Sequence, residues 1–316
     1  KAATLRVVCL SKGEYHLPQN FKVYSLGKEK GYPKIWQFLR LQKFLLVNLP
    51  QVDGIFIHMC PIYAIASWPL VKIFRKKMIL WFLHRNVNWK LKLAEKCVDK
   101  ILTASEESCR LKSRKKIEIV GHGIDTDFFM PLSPNAEHQA PNALRILSVG
   151  RISPIKNQET LIEAADILVN QKNIKDVEVK FLGNPLEKQE KVYFERLKNL
   201  VKQKQLEGHI EFLGGVSNNK MPEYYQNADL AVNLSHTGSM DKVVLEAMAC
   251  ATPVLTCTEA FQNVLDEKYL FKKKDPRDLA EKIINLRGVK EGANLREVVV
   301  KYHNLDNLID KIISKF

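Results

Sequence analysis

Long apolar runs are nearly absent from this sequence. One stretch approaches a membrane span: Gly54 to Val71 is 18 residues without Asp, Glu, Lys or Arg. That is the lower edge for a helix crossing a bilayer. Pro61 and Pro69 interrupt it, and His58 and Ser67 lie inside it. It therefore reads as a buried strand, a turn at Pro61 and a helix. Cysteine is also sparse, with six residues (9, 60, 97, 109, 250 and 257) and no CxxC pair. This pattern excludes a zinc module and fits a reduced, cytosolic chain rather than a disulfide scaffold. The opening KAATLRVV is too polar for a secretory signal. Low-complexity tracts and short repeats are missing, and 46% hydrophobic with 27% charged residues excludes disordered, collagenous and coiled-coil chains.

Acidic residues are scarce in the first part of the chain. Residues 1–135 hold 23 basic and 10 acidic residues, a net +13, while residues 136–316 hold 26 and 25, a net +1. The cationic part calls for an anionic partner: a lipid surface, a phosphorylated substrate or nucleic acid. No nucleic-acid-binding motif accompanies the charge, so nucleic acid is the weakest of the three. A length of 316 residues exceeds one ordinary core and points to two domains.

Short β-rich runs alternate with helical stretches throughout. Strands read at 4–10, 21–25, 54–58, 78–83, 100–103 and 117–120, then at 144–149, 177–182, 209–213, 229–234, 253–256 and 268–271. Such alternation predicts parallel sheets covered by helices, the doubly wound α/β class. The segment 131–142, PLSPNAEHQAPN, breaks the pattern and reads as an interdomain linker. Helix 34–46, KIWQFLRLQKFLL, mixes Trp36, Phe38 and Phe44 with Lys34, Arg40 and Lys43, near Arg75-Lys76-Lys77. It reads either as an interfacial helix on anionic lipid or as a core helix with a solvated basic edge. The last helix is amphipathic, with Leu305, Leu308, Ile309, Ile312, Ile313 and Phe316 on one stripe. At the start, KAAT resembles a helix end rather than the opening of a doubly wound domain, so a first βα unit of roughly 30 residues is expected to be missing.

In open α/β sheets, ligands bind beyond the carboxyl ends of strands. After 144–149 comes Gly150-Arg151-Ile152-Ser153-Pro154-Ile155-Lys156, with two cations before a helix. They suit a diphosphate, or they are ordinary solvated surface charges. After 229–234 come Gly238, Ser239 and Asp241, then the helix that holds Val244, Leu245 and Glu246. Glu246 is the only charge between Val243 and Val254, so its carboxylate should be largely buried, which is costly unless it finds a partner there. A ribose diol provides one; pairing with Lys242 contributes only about 0.2–0.5 kcal/mol.

VGRISPIKNQETLIEAADIL, FLGGVSNNKMPEYYQNADLAVNLS and VVLEAMACATPVLT, in that order, resemble family 4 glycosyltransferases, the retaining "group 1" enzymes of GT-B fold. HGIDTDFFMP at 122–131 is similar to the end of their first domain. The resemblance implies two Rossmann-like domains facing a cleft: an acceptor-side domain over 1–131 with the last helix, about 301–316, and a donor domain over 143–300. It implies that Gly150, Arg151 and Lys156 clamp the donor diphosphate and that Gly183 and Val216 lie in the loops around the base. Glu246 matches the ribose-binding second Glu of the E-x7-E motif, beside Val244 and Leu245, and His84 matches a histidine facing the transferred sugar. The implied substrates are a nucleotide-sugar and a glycan or lipid-linked acceptor, with no metal or other cofactor. The implied location is the cytoplasm, at the inner face of the membrane.

The sequence departs from the motif at Gly238, where the family has its first Glu. Asp241 either supplies that carboxylate from a shifted position or favours the helix N-terminus electrostatically. The departure keeps a rival open, a non-catalytic nucleotide-sugar-binding protein. Two other patterns carry less. Asp125-Thr126-Asp127 spells the DxD of metal-dependent transferases, but two carboxylates do not complete a metal shell. Gly121-His122-Gly123 lacks the third Gly of a dinucleotide loop.

Overall fold

The structure is a computed structural model that describes residues 4–112, 116–132, 143–289 and 292–316. It divides into two compact units, Lys1–Val120 with Asn307–Phe316, and Gly121–Asp306. This partition differs from the sequence expectation of 1–131. Residues 121–131 stay with the second unit because Ile124 forms a parallel bridge with Asn304, and the Arg296 guanidinium donates to the carbonyls of Thr126 at 3.0 Å and Phe129 at 2.9 Å. Most of the expected linker, 133–142, lies outside the described residues.

The first unit opens with β1 (Leu5–Cys9) and β2 (Phe21–Ser25), a parallel pair forming their own two-stranded sheet. Then follow α1 (Lys34–Asn48), β3 (Gly54–His58), α2 (Pro61–Ile73), β4 (Lys77–Trp81), α3 (Trp89–Cys97), β5 (Lys100–Thr103) and β6 (Ile117–Ile119). Strands β3 to β6 form a four-stranded parallel sheet in sequence order. The uncharged run from Gly54 thus resolves into a strand and a helix, and no helix among the described residues is long and apolar enough to cross a membrane. Leu41 and Leu45 of α1, Ala64 and Val71 of α2, and Leu91 and Ala94 of α3 share one core with the sheet. On α3, Asn88 caps the helix by accepting the Leu91 N–H at 3.0 Å.

The second unit holds β7 (Leu144–Val149), α4 (Gln158–Asp166), β8 (Val177–Leu182), α5 (Lys188–Gln203), β9 (Ile210–Gly214), α6 (Met221–Gln226), β10 (Leu230–Asn233), α7 (Lys242–Ala249), β11 (Val254–Thr256), α8 (Pro276–Leu286) and α9 (Gly292–Tyr302). Its sheet is all parallel, in the order β11-β10-β7-β8-β9. The chain winds outward from β7 through β8 to β9, then returns to the other side of β7. The strand order therefore reverses between β7 and β10, where α/β sheets open a ligand crevice.

One strand expectation is corrected. Residues 268–271 are not a strand: Glu267–Tyr269 make a single 3-10 turn, and Leu270 forms an isolated bridge to Thr256. Glu267 and Lys268 are exposed and polar, so the segment has no second face to bury. The last helix, α10 (Leu305–Ile313), places Leu308, Ile312 and Phe316 against Ile79, Trp81 and Leu102 of the first unit.

Candidate functional site

The loops leaving the C-terminal ends of β7, β8 and β10 converge in the second unit. Gly150 follows β7, and its N–H donates to the Leu182 carbonyl at 2.9 Å. Gly183 follows β8, with φ +139° and its N–H on Gly214 O at 2.8 Å. A Cβ at Gly183 would collide with the Gly150 carbonyl and lie 3.3 Å from Arg151 N. Only glycine lets β8 pass the loop carrying Arg151 this closely. The β10 loop is tied to the same place, since His236 N–H donates to Ile155 O at 3.0 Å. Val216, beyond β9, is half-buried.

Both cations of this loop are engaged. Lys156 Nζ lies 2.6 Å from Asp241 Oδ2 and 3.3 Å from Ser235 Oγ. Asn233 Nδ2 donates to the same carboxylate oxygen at 3.0 Å. Asn233 is itself fixed, because its Oδ1 accepts the hydroxyls of Thr256 at 3.2 Å and Thr258 at 3.0 Å. Asn233, Ser235, Thr256 and Thr258 are all buried, so this polar chain holds Asp241 against the lysine with little freedom. Asp241 is the N-cap residue of α7, yet its side chain accepts no backbone N–H there. Its carboxylate is directed to Lys156 rather than to the helix end, and it stands three residues past Gly238, whose φ of +72° turns the chain.

Arg151 pairs with Glu190, Nε to Oε1 at 3.2 Å. Glu190 belongs to the capping box of α5 and also accepts the N–H groups of Leu186 at 2.8 Å and Glu187 at 3.1 Å. Those backbone donors, Leu186 first, hold its carboxyl below the usual carboxylate range, with Arg151 adding to the effect. Gln158 Nε2 donates to Arg151 O at 3.0 Å and steadies the loop from α4.

On α7, Val244 and Leu245 are buried, so neither side chain is open to a ligand. Glu246 accepts the hydroxyl of the buried Tyr225 at 3.0 Å. Burial raises the Glu246 carboxyl above its ordinary range, while the Tyr225 hydroxyl and Lys242 act in the opposite direction. Burial likewise raises Tyr225 well above the ordinary phenol. Burial pushes the thiols up to about 12 at Cys250 and about 11 at Cys257, so neither is a thiolate near neutral pH.

His84 lies elsewhere, in the first unit, just beyond β4. It is exposed, and its Nδ1 accepts the Asn86 N–H at 3.1 Å, which leaves the ring proton of the neutral form on Nε2. Asp125 has a local use: its Oδ1 accepts the N–H groups of Asp127 at 3.2 Å and Phe128 at 3.0 Å, closing a turn. Among the described residues, no three His, Cys, Asp or Glu side chains gather as a metal site.

Sequence reasoning passed over Glu190, Asn233 and Tyr225. Asn233 had a signal, a lone amide inside the apolar ADLAVNL strand. Glu190 had a weaker one, the Glu187-x-x-Glu190 spacing of a helix start. For Tyr225 there was none.

The chain is similar to known proteins. Residues 131–303 match the family model described as "Glycosyl transferases group 1". A D-inositol 3-phosphate glycosyltransferase of Geodermatophilus obscurus is 34% identical over 147 residues, 43% of this chain and 32% of that protein. A mannosylfructose-phosphate synthase of Agrobacterium fabrum is 27% identical over 147 residues, 45% of this chain and 32% of that protein. The chain thus spans about a third of the length of these curated relatives. Among solved structures, Anabaena HepE in complex with UDP and glucose superposes with a TM-score of 0.78 at 17% identity, covering 98% of this chain and 90% of that one. Sucrose-phosphate synthase of Thermosynechococcus elongatus gives 0.74 at 18% identity, covering 98% and 86%. These structural likenesses give the fold, GT-B, with two parallel-sheet Rossmann-like units.

Proposed function

The chain belongs to the group 1 glycosyl transferases, and from that membership we propose that it moves a sugar from a nucleotide-sugar donor to an acceptor. The observation that carries this reading is the meeting of Lys156 with Asp241, the N-cap of α7, where the strand order reverses, with Arg151 on the same loop. Lys156 and Arg151 hold the donor diphosphate, assisted by the N-terminal end of α7. As the sugar leaves, these groups stabilise the negative charge growing on the diphosphate. The base lies over the loops at Gly183 and Val216. Glu246 accepts from the ribose hydroxyls while Tyr225 holds it from behind. His84 and Asp241 serve the transferred sugar.

HepE, solved with UDP and glucose, supports a uridine donor. The finer assignment is to family 4, with retention of configuration and without a metal. The acceptor is a glycan or a lipid-linked molecule met in the cytoplasm. Calorimetric titration with UDP and UDP-glucose tests the donor reading, and release of free glucose tests turnover. Binding and turnover are expected to persist in EDTA. Chelation that abolishes activity, with recovery on adding manganese, would reverse the metal assignment.

A second reading is favoured by one observation: Gly238 stands where the family motif has its sugar-binding Glu. A protein that binds UDP-glucose but neither hydrolyses nor transfers it would be a nucleotide-sugar-binding relative without catalysis.

The ribose contact has its own test. Glu246→Gln keeps the shape and removes the charge. It is expected to weaken UDP binding about tenfold, with a clearly smaller effect on dUDP, since one charge-assisted hydrogen bond contributes about 1.5–3 kcal/mol. Equal losses for both nucleotides would take Glu246 away from the diol.

A further inference from the structure

We propose that the outer face of the α1–α2–α3 layer in the first unit is a docking surface for an anionic lipid bilayer. This inference stands apart from the donor site, since every residue it uses lies in the first unit.

Three observations carry it. The first is the outward side of the helices. A helix on a sheet buries one stripe and turns polar residues to water. Here α1 buries Leu41 and Leu45, yet its opposite side shows Ile35, 62% exposed, with Leu39 and Leu46 at i+4 and i+11, and Trp36 beside them at 59%. Helix α2 repeats this, with Ile62, Pro69 and Ile73 at i, i+7 and i+11, and Ile73 is 70% exposed. The two helices touch, since Gln42 Nε2 donates to Ala66 O at 3.0 Å. The apolar outer stripes are therefore neighbours rather than scattered single residues.

The second observation is charge. From Lys30 to Ala94 the chain has 11 basic residues and one acidic residue, Asp53. A solvated helix face mixes both signs, but α1 and α2 contain no Asp or Glu at all. The third is tryptophan. Trp36, Trp68 and Trp89 open on α1, α2 and α3, Trp89 being 64% exposed, whereas only Trp81 is buried. An indole suits the headgroup level, apolar at one end and hydrogen-bonding at the other. Together these form the pattern of an interfacial surface: apolar side chains and indoles to enter the acyl boundary, with cations to meet anionic headgroups. A protein partner would match the apolar stripes but would need an acidic surface of its own to meet the charge.

The test uses flotation with phosphatidylglycerol–phosphatidylcholine vesicles and with phosphatidylcholine alone. Wild type is expected to float with the anionic vesicles at low salt, to leave them at high salt, and to ignore neutral ones. Two triple variants separate the contributions. Lys43→Glu/Lys72→Glu/Lys76→Glu is expected to weaken partitioning about a hundredfold, since each cation at an anionic surface changes it about fivefold. Ile35→Ser/Leu39→Ser/Ile73→Ser is expected to weaken it about tenfold or more through lost apolar burial. Arg40 and Lys77 are left intact because they hold the unit together, reaching Ser25 O at 3.3 Å and Lys315 O at 2.9 Å. Tryptophan emission is expected to shift to the blue on vesicle addition. Wild type that stays behind at low salt overturns the proposal. So does a serine variant that still binds as wild type does, because the apolar face would then play no part. Self-association that the serine variant abolishes, without vesicle binding, would give the face to a second copy of the chain.

Discussion

Lys156→Ala is expected to weaken nucleoside diphosphate binding about ten- to a hundredfold, the loss of a charge-assisted contact of about 1.5–3 kcal/mol. It should also destabilise the empty protein. Asp241 is half-buried and would keep only the Asn233 amide, at 3.0 Å, as a partner. An unpaired carboxylate in such a place is costly. The two effects separate with a second substitution. Asp241→Asn in the Lys156→Ala background is expected to recover stability but not affinity. On its own, Asp241→Asn has a diagnostic sign. Asp241, 2.6 Å from Lys156, competes with the ligand for it. Removing its charge should strengthen UDP binding. If Asp241 also holds the sugar, UDP-glucose should gain less than UDP, or lose. Arg151→Ala is expected to do less than Lys156→Ala, because Arg151 is more exposed and remains shared with Glu190 at 3.2 Å. A folded Lys156→Ala protein with unchanged UDP affinity would remove the lysine from the donor site.

The doubly wound organisation was legible in the sequence because parallel strands with both faces buried read as short apolar runs. LRILSV and VEVKFL became β7 and β8 with the expected bounds. The loops that converge were legible for the same reason, since each follows a recognisable strand. What the side chains of those loops contact was not legible. Periodicity places Lys156 and Asp241 beyond two strands but does not say that the strands are neighbours. That depends on the reversal of order between β7 and β10. The partners of Arg151 and Glu246 are hidden for a related reason. Glu190 and Tyr225 come from α5 and α6, and helix faces meet loops only after the sheet is wound. Helix α1 was legible only in part. Its composition suited a core helix with a basic edge, and Leu41 and Leu45 are indeed buried. The same composition could not reveal that the opposite side shows Ile35 and Trp36.

Gly183→Ala is expected to destabilise the second unit by about 3 kcal/mol or more, a large effect for one methyl group. Two causes act together. A φ of +139° lies where a side chain is strained, at about 1–3 kcal/mol. The new Cβ also meets the Gly150 carbonyl, which is backbone and has no rotamer to yield. Gly150 is held in turn by its own bond to Leu182 O at 2.9 Å. The clash therefore has to move the chain that carries Arg151, so the damage should reach the donor site before the unit unfolds. Thermal unfolding is expected to fall by about 6–12 °C, given about 2–4 °C per kcal/mol for a unit of this size. UDP affinity should fall at temperatures where the variant is still folded. Gly208→Ala is the matched control, because a Cβ there has nothing within 4 Å. It should leave both quantities unchanged. If Gly183→Ala melts and binds like Gly208→Ala, then the close passage of β8 beneath the Arg151 loop does not constrain the site.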